Sequence, residues 1–202
     1  MGYGHTHLSA ITAAADVDRF ITITDMKRGT YGAVGAAGLM PELDTARKVT
    51  ITLTRINAVD APLGTVTIVG TDINGTTQTE IMTPLDNATA TSVKWFKTVT
   101  SVTGGTTWVT AGGPDQITVG CAAVAIVAQG AGSLHAIAVN TTSAGAITIA
   151  DASGTIAVLI LSIPEGLYEL EATYAGYLAV TLAGASDVTV LHTASLPTSY
   201  SM

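Results

Sequence analysis

VTIVGTDINGTTQTEIM, Val66 to Met82, alternates apolar and polar residues on both sides of an Asn-Gly pair. Side chains along a strand point to opposite faces in turn, so this pattern predicts two antiparallel strands joined as a hairpin. Asn74 and Gly75 both tolerate positive φ, which makes the dipeptide a strong hairpin signal. Asp72, Asn74 and Thr76 also stand at alternate positions with Glu80 beyond them, which raises a competing reading as an oxygen-ligand loop. A helix–loop–helix calcium loop needs glycine at its sixth position and an acid at its twelfth. Counted from Asp72, those places hold Thr77 and Thr83, and the flanks read as strands. The cluster is expected to be a bend.

The same period extends outward. KVTITLTRI (Lys48–Ile56) sets Val49, Ile51 and Leu53 against threonines, SVKWFKTVTSV (Ser92–Val102) continues, and DQITVG (Asp115–Gly120) follows. Beyond the glycine-rich joint Gln129–Ser133, six short segments (LHAIAVN, GAITIAD, GTIAVLILSI, LYELEAT, YLAVTLA and DVTVLHT) recur at intervals of roughly 10 residues, the spacing of a sandwich or barrel. No window carries a helical period. The expected fold class is all-β, with antiparallel β-sandwich, jelly-roll-like or barrel modules and a Gly-rich N-terminal arm. The expected divisions are an arm and loop region at 1–46, which includes a short strand at Asp16–Thr24 and the Gly-rich stretch Arg28–Asp44, a first β module at 47–128, and a second at 129–202. Residues 1–128 as one unit is the alternative.

Composition agrees. The chain is 48% hydrophobic but only 5% aromatic and 11% charged, against roughly 25% charged in an ordinary soluble domain. Thr, Val and Ile, stiff at χ1, suit a pleated surface. At 202 residues a sizeable core is possible. Charge is divided along the chain. All eight Lys and Arg (Arg19, Lys27, Arg28, Arg47, Lys48, Arg55, Lys94, Lys97) lie in the first 97 residues. Residues 98–202 have none, and carry Asp115, Asp151, Glu165, Glu169, Glu171 and Asp187. A stretch without cations cannot neutralise phosphates, so no nucleic-acid partner is expected there. The first 18 residues hold no Lys or Arg and no compact apolar core, so no secretory leader is expected. The longest apolar runs, Cys121–Ala128 and Ile156–Ile163, fall well short of the roughly 20 residues that span a bilayer, and no membrane partner is expected.

The run Ile156–Ile163 is apolar on both faces and therefore needs cover on two sides. Either it is central in its domain, or another subunit closes its second face. Left exposed, it invites aggregation. The single Cys121, inside GCAAVAIVA, reads as a small buried hydrophobe. His5-Thr6-His7 has the spacing of a zinc half-site with no third ligand in view, and a mobile terminus is the plainer reading. His135 and His192 fall in strands. Asp151-Ala152-Ser153-Gly154 lies between two apolar strands and reads as a turn. Glu169 and Glu171 share a strand face opposite Tyr168, Leu170 and Ala172, which makes a solvated face the simplest account. Gly104-Gly105-Thr106-Thr107 lacks the Lys and following helix of a phosphate loop. The chain has no Gly-x-Ser-x-Gly elbow, Cys-x-x-Cys pair or His-Glu-x-x-His. No catalytic, cofactor or metal residues are assigned, and the chain is not expected to be an enzyme.

GTVTIVGTDINGTTQTEIMTP (Gly64–Pro84), KWFKTVTSVTGG (Lys94–Gly105) and DQITVG (Asp115–Gly120) together resemble a module of tailed-bacteriophage virion proteins. That module reads as a strand, then G-T-D-x-N-G, T-E-x-I, F-K-x-V-T-S-V and D-x-I-x-V-G. LHAIAVNTTSAGAITIADASGTIAVL (Leu134–Leu159) resembles a second phage structural module, one without catalytic residues. The resemblance implies a virion structural protein, most like a capsid decoration (cement) protein on the outer capsid surface. It would bridge neighbouring subunits of the major capsid protein, as a homo-oligomer with a trimer favoured. Arg19, Lys27, Arg28, Arg47 and Lys48 are the expected partner contacts with an acidic shell, and the cation-free remainder then faces outward. The alternative is a head or tail fibre module that grips a host glycan through Trp95, Trp108 and the tyrosines.

Overall fold

Val49, Ile51 and Leu53 are buried on one face of strand β4, Glu42–Thr54, while Lys48 and Thr52 on the other face are half-exposed. The alternation in the sequence is thus the alternation of the pleat. The computed structural model describes residues 4–8, 15–32, 42–56, 64–108, 115–160, 162–184 and 186–194, with the backbone alone for 4–8 and 42–44. The Gly-rich residues 33–41 and the imidazoles of His5 and His7 lie outside what is described.

Among the described residues all regular structure is β-strand and every strand pair is antiparallel. The chain divides into two compact units, residues 15–123 and residues 1–14 with 124–202. The boundary falls within one long strand, β8, Gln116–Gln129.

In the unit 15–123, β4 pairs with β7 (Thr89–Gly104), β7 with β5 (Val66–Thr71), and β5 with β6 (Thr77–Met82). Strand β2 (Asp16–Asp25) pairs with the first half of β8, and the short β3 (Gly29–Thr30) with the end of β7. Phe20, Tyr31, Val49, Ile51, Leu53, Ile68, Phe96 and Ile117 fill the core. Two close approaches demand glycine. A Cβ on Gly70 would lie 1.9 Å from the carbonyl oxygen of Thr98, and one on Gly120 would lie 1.9 Å from that of Asp16. Beside Gly70 the β5–β7 register slips, with Val69 opposite Ser101 but Gly70 opposite Val99. The resulting bulge lets Val99 and Val102, three residues apart, both lie on the buried face.

In the unit containing residues 124–202, β1 (Gly4–Leu8), β14 (Asp187–Ala194), β9 (Gly132–Thr141) and β12 (Gly166–Tyr174) form one sheet in that order. Strand β11 (Gly154–Leu159), β10 (Ile147–Asp151), β13 (Tyr177–Leu182) and the end of β8 are hydrogen-bonded in series. Leu134, Ile137, Val188 and Val190 from the first set and Ile147, Ile149, Leu178 and Val180 from the second share one apolar core. Two antiparallel layers over a common core make this unit sandwich-like. His5 and His7 fall in β1, opposite Leu191 and Thr189 of β14, so the backbone there is paired strand and not a loose terminus.

Candidate functional site

The centre of the 66–82 hairpin is a bend held by its own aspartate. Asp72 N–H donates to the Thr76 carbonyl at 2.9 Å, and Gly75 N–H donates to the Asp72 carbonyl at 3.1 Å. Asp72 Oδ1 accepts from the backbone N–H of Asn74 at 2.8 Å and of Thr76 at 2.9 Å. Gly75 takes φ +81°, while Asn74 is absent from the residues with positive φ. The connection is therefore a three-residue loop closed by a left-handed glycine, not a two-residue turn with both residues at positive φ. The carboxylate that a cation would need is turned onto the backbone.

The five expected partner contacts sit in the unit 15–123 but not in one patch of free charge. Arg19 lies 3.7 Å from the Asp16 carboxylate. Arg28 is exposed and its guanidinium donates to the Thr106 carbonyl. Lys27 is half-buried. Lys48 lies over the Trp95 ring, its Nζ 5.3 Å from the centroid, within cation–π range. Arg47 is 6% exposed, and its guanidinium donates to the carbonyls of Ala123 at 3.0 Å and Ala122 at 3.4 Å. A charge so placed serves the chain's own carbonyls.

The other singled-out residues are occupied locally. Asp151 Oδ1 accepts from the N–H groups of Ser153 at 2.7 Å and Gly154 at 3.1 Å, and Oδ2 accepts from Ala175 N–H at 2.9 Å. These bonds, that from Ala175 first, hold its carboxyl below the usual carboxylate range. Asp151–Gly154 is the β10–β11 turn. Glu171 lies within the register slip between Glu169 and Ala172 of β12 and takes φ +40°, with its carboxylate 3.5 Å from His135 Nδ1. His192 is buried beside Tyr174, ring centroids 6.4 Å apart. Cys121 is buried, and that burial pushes its thiol pKa up. Trp108 and Tyr31 pack edge to face in the core, with centroids 6.3 Å apart. Among the described residues no three His, Cys, Asp or Glu side chains gather as metal ligands.

What the sequence left open is the second face of the apolar run. Strand β11 is not central. It ends its series, paired with β10 along one edge, and among the described residues no strand pairs with its other edge. Ile156, Ala157 and Leu159 pack in part against the core, but Val158 is 50% exposed and Ile160 77%. Ser162, at φ +60°, turns the chain, and Ile163 then bridges to Ser143. The result is a cleft of about 360 Å³ lined by Val158, Ile160, Ile163, Pro164 and Tyr168 among others. Tyr168 Oη donates to the Pro164 carbonyl at 2.9 Å, which fixes one wall, and Leu167 beside it is 60% exposed. The absence of any charged residue from Gly154 to Pro164 was the available signal, because a soluble edge strand ordinarily carries one.

No protein-family model, no curated protein and no solved structure matches the chain.

Proposed function

We propose that this chain is a virion structural protein that decorates a phage capsid from outside and stabilises it by bridging neighbouring subunits of the major capsid protein. The observation that carries the reading is the uncharged edge of β11, with Val158 and Ile160 at 50% and 77% exposure. A lone soluble domain guards such an edge; a protein built to be pressed against others uses it. Bridging needs more than one contact surface. The unit with all eight cations offers Arg19, Lys27, Arg28 and Lys48 toward an acidic shell. The β11 edge offers a second surface, which amends the expectation that the cation-free part only faces outward.

Burial of these surfaces would strengthen the shell by roughly 25 cal/mol per Å² of apolar area, less the ordering costs of association. A homotrimer is part of the proposal, and exposed Ile81 and Val93 in the unit 15–123 supply apolar surface for self-association. Glycan gripping has less behind it, since Trp108, Tyr31 and Tyr174 are buried and Lys48 covers Trp95. The test is reconstitution. Purified chain added to capsids that lack it should bind and raise the temperature at which they release DNA. Capsids that neither bind it nor gain stability would overturn the proposal.

A further inference from the structure

We infer that the free edge of β11 binds an extended, cation-flanked segment of another protein, which adds to the sheet as a further strand. The inference rests on the reading of this face as a protein-contacting surface, not on which particle the chain belongs to.

The edge first. Strand β11 uses one side for β10, and its other side presents backbone donors and acceptors that an incoming strand can pair. No Lys, Glu or Pro interrupts Gly154–Leu159, so nothing in it discourages pairing. The cleft beside it provides the side-chain pocket that strand addition needs for specificity: Ile163 is its buried floor, Tyr168 its fixed wall, and Val158 and Ile160 its rim. Alternate residues of an added strand face one side, so a segment apolar at every second position fits.

Charge selects the occupant. Residues 1–14 and 124–202 contain no Lys or Arg, and carry Asp151, Glu165, Glu169, Glu171 and Asp187. Glu165, exposed, directly follows the cleft residue Pro164. A second copy of this edge would bring like charges together and is disfavoured, whereas a strand flanked by Lys or Arg meets complementary charge. The partner is therefore a different chain with a basic, extended segment.

The probe is a fluorescein-labelled peptide of alternating Val and Thr with Lys pairs at both ends, titrated against the full chain by anisotropy at low and high salt. A matched peptide carries Glu pairs instead. The Lys-flanked peptide should bind, weaken with added salt, and exceed the Glu-flanked one by about tenfold. Ile160→Lys, at a site open enough to leave the fold intact by circular dichroism, should weaken binding by about tenfold or more. Glu165→Gln should narrow the gap between the two peptides. Equal binding of both peptides, no binding of either, or indifference to Ile160→Lys would overturn the inference. So would self-association of the chain that Ile160→Lys abolishes, since the edge would then belong to a second copy. Peptide failure alongside intact capsid binding removes strand addition and leaves the decoration reading standing; the reverse result removes decoration alone.

Discussion

Asp72 and Thr76 close the β5–β6 hairpin twice over: Asp72 N–H donates to the Thr76 carbonyl, and Thr76 N–H donates to the Asp72 carboxylate at 2.9 Å. The carboxylate acts as a piece of backbone. Asp72→Ala should therefore lower stability by about 1 kcal/mol, the net worth of such bonds at an exposed site. Gly75→Ala, forcing a side chain into φ +81°, should cost about 1–2 kcal/mol. Urea unfolding measures both. Calcium added to the wild-type chain should leave the midpoint unmoved, and a calcium-dependent rise lost in Asp72→Ala would restore the cation-loop reading.

Gly70 is a stricter case, because the obstacle is backbone. A methyl group there would meet the Thr98 carbonyl at 1.9 Å, so strand β5 or β7 must shift. Gly70→Ala should cost about 3 kcal/mol, clearly more than Gly75→Ala, since overpacking against a hydrogen-bonded carbonyl has no flexible end to yield. Denaturant midpoints of the two variants side by side decide it, and equal costs would contradict the close approach.

Asp151 gives a pH dependence whose sign follows from its bonds. Its carboxyl is held below the ordinary range by backbone N–H groups, so it binds its proton more weakly folded than unfolded. The stability it contributes is present above the unfolded pKa and is lost as pH falls through the folded one. Asp151→Asn should be less stable than wild type at neutral pH, with the difference shrinking as the solution is made acid. Urea midpoints along a pH series test this, and a difference independent of pH would refute it.

The Cys121 thiol is buried, and desolvation raises its pKa, partly offset by the nearby Arg47 guanidinium. A thiol that is both covered and protonated is a poor nucleophile. Ellman's reagent at mildly alkaline pH should leave the native chain unmodified and react fully in denaturant. Rapid labelling of the native chain would place Cys121 at the surface.

Much of the fold was legible because a half-buried strand writes its burial into every second residue. Val49, Ile51 and Leu53 announce β4, and Val66 and Ile68 announce β5. The legible part ends where a partner strand decides. The bulge at Gly70 depends on register with β7, so the phase change between Val99 and Val102 has no local mark. Asn74-Gly75 marked the bend, yet the Asp72 side chain, bonding two residues ahead and four, set its length. The run Ile156–Ile163 showed that cover was needed, but strand order is a property of topology, and only the structure puts β11 at an edge. The cations pointed to charged contacts, while the burial of Arg47 beneath β8 carbonyls was invisible, because Ala122 and Ala123 lie far along the chain.

Quantitative mass spectrometry of purified virions tests the central proposal most directly. The account predicts this chain in a fixed and high ratio to the major capsid protein, on the scale of the shell's repeating positions. A chain missing from the particle, or present only in the few copies of a tail or portal component, would contradict it.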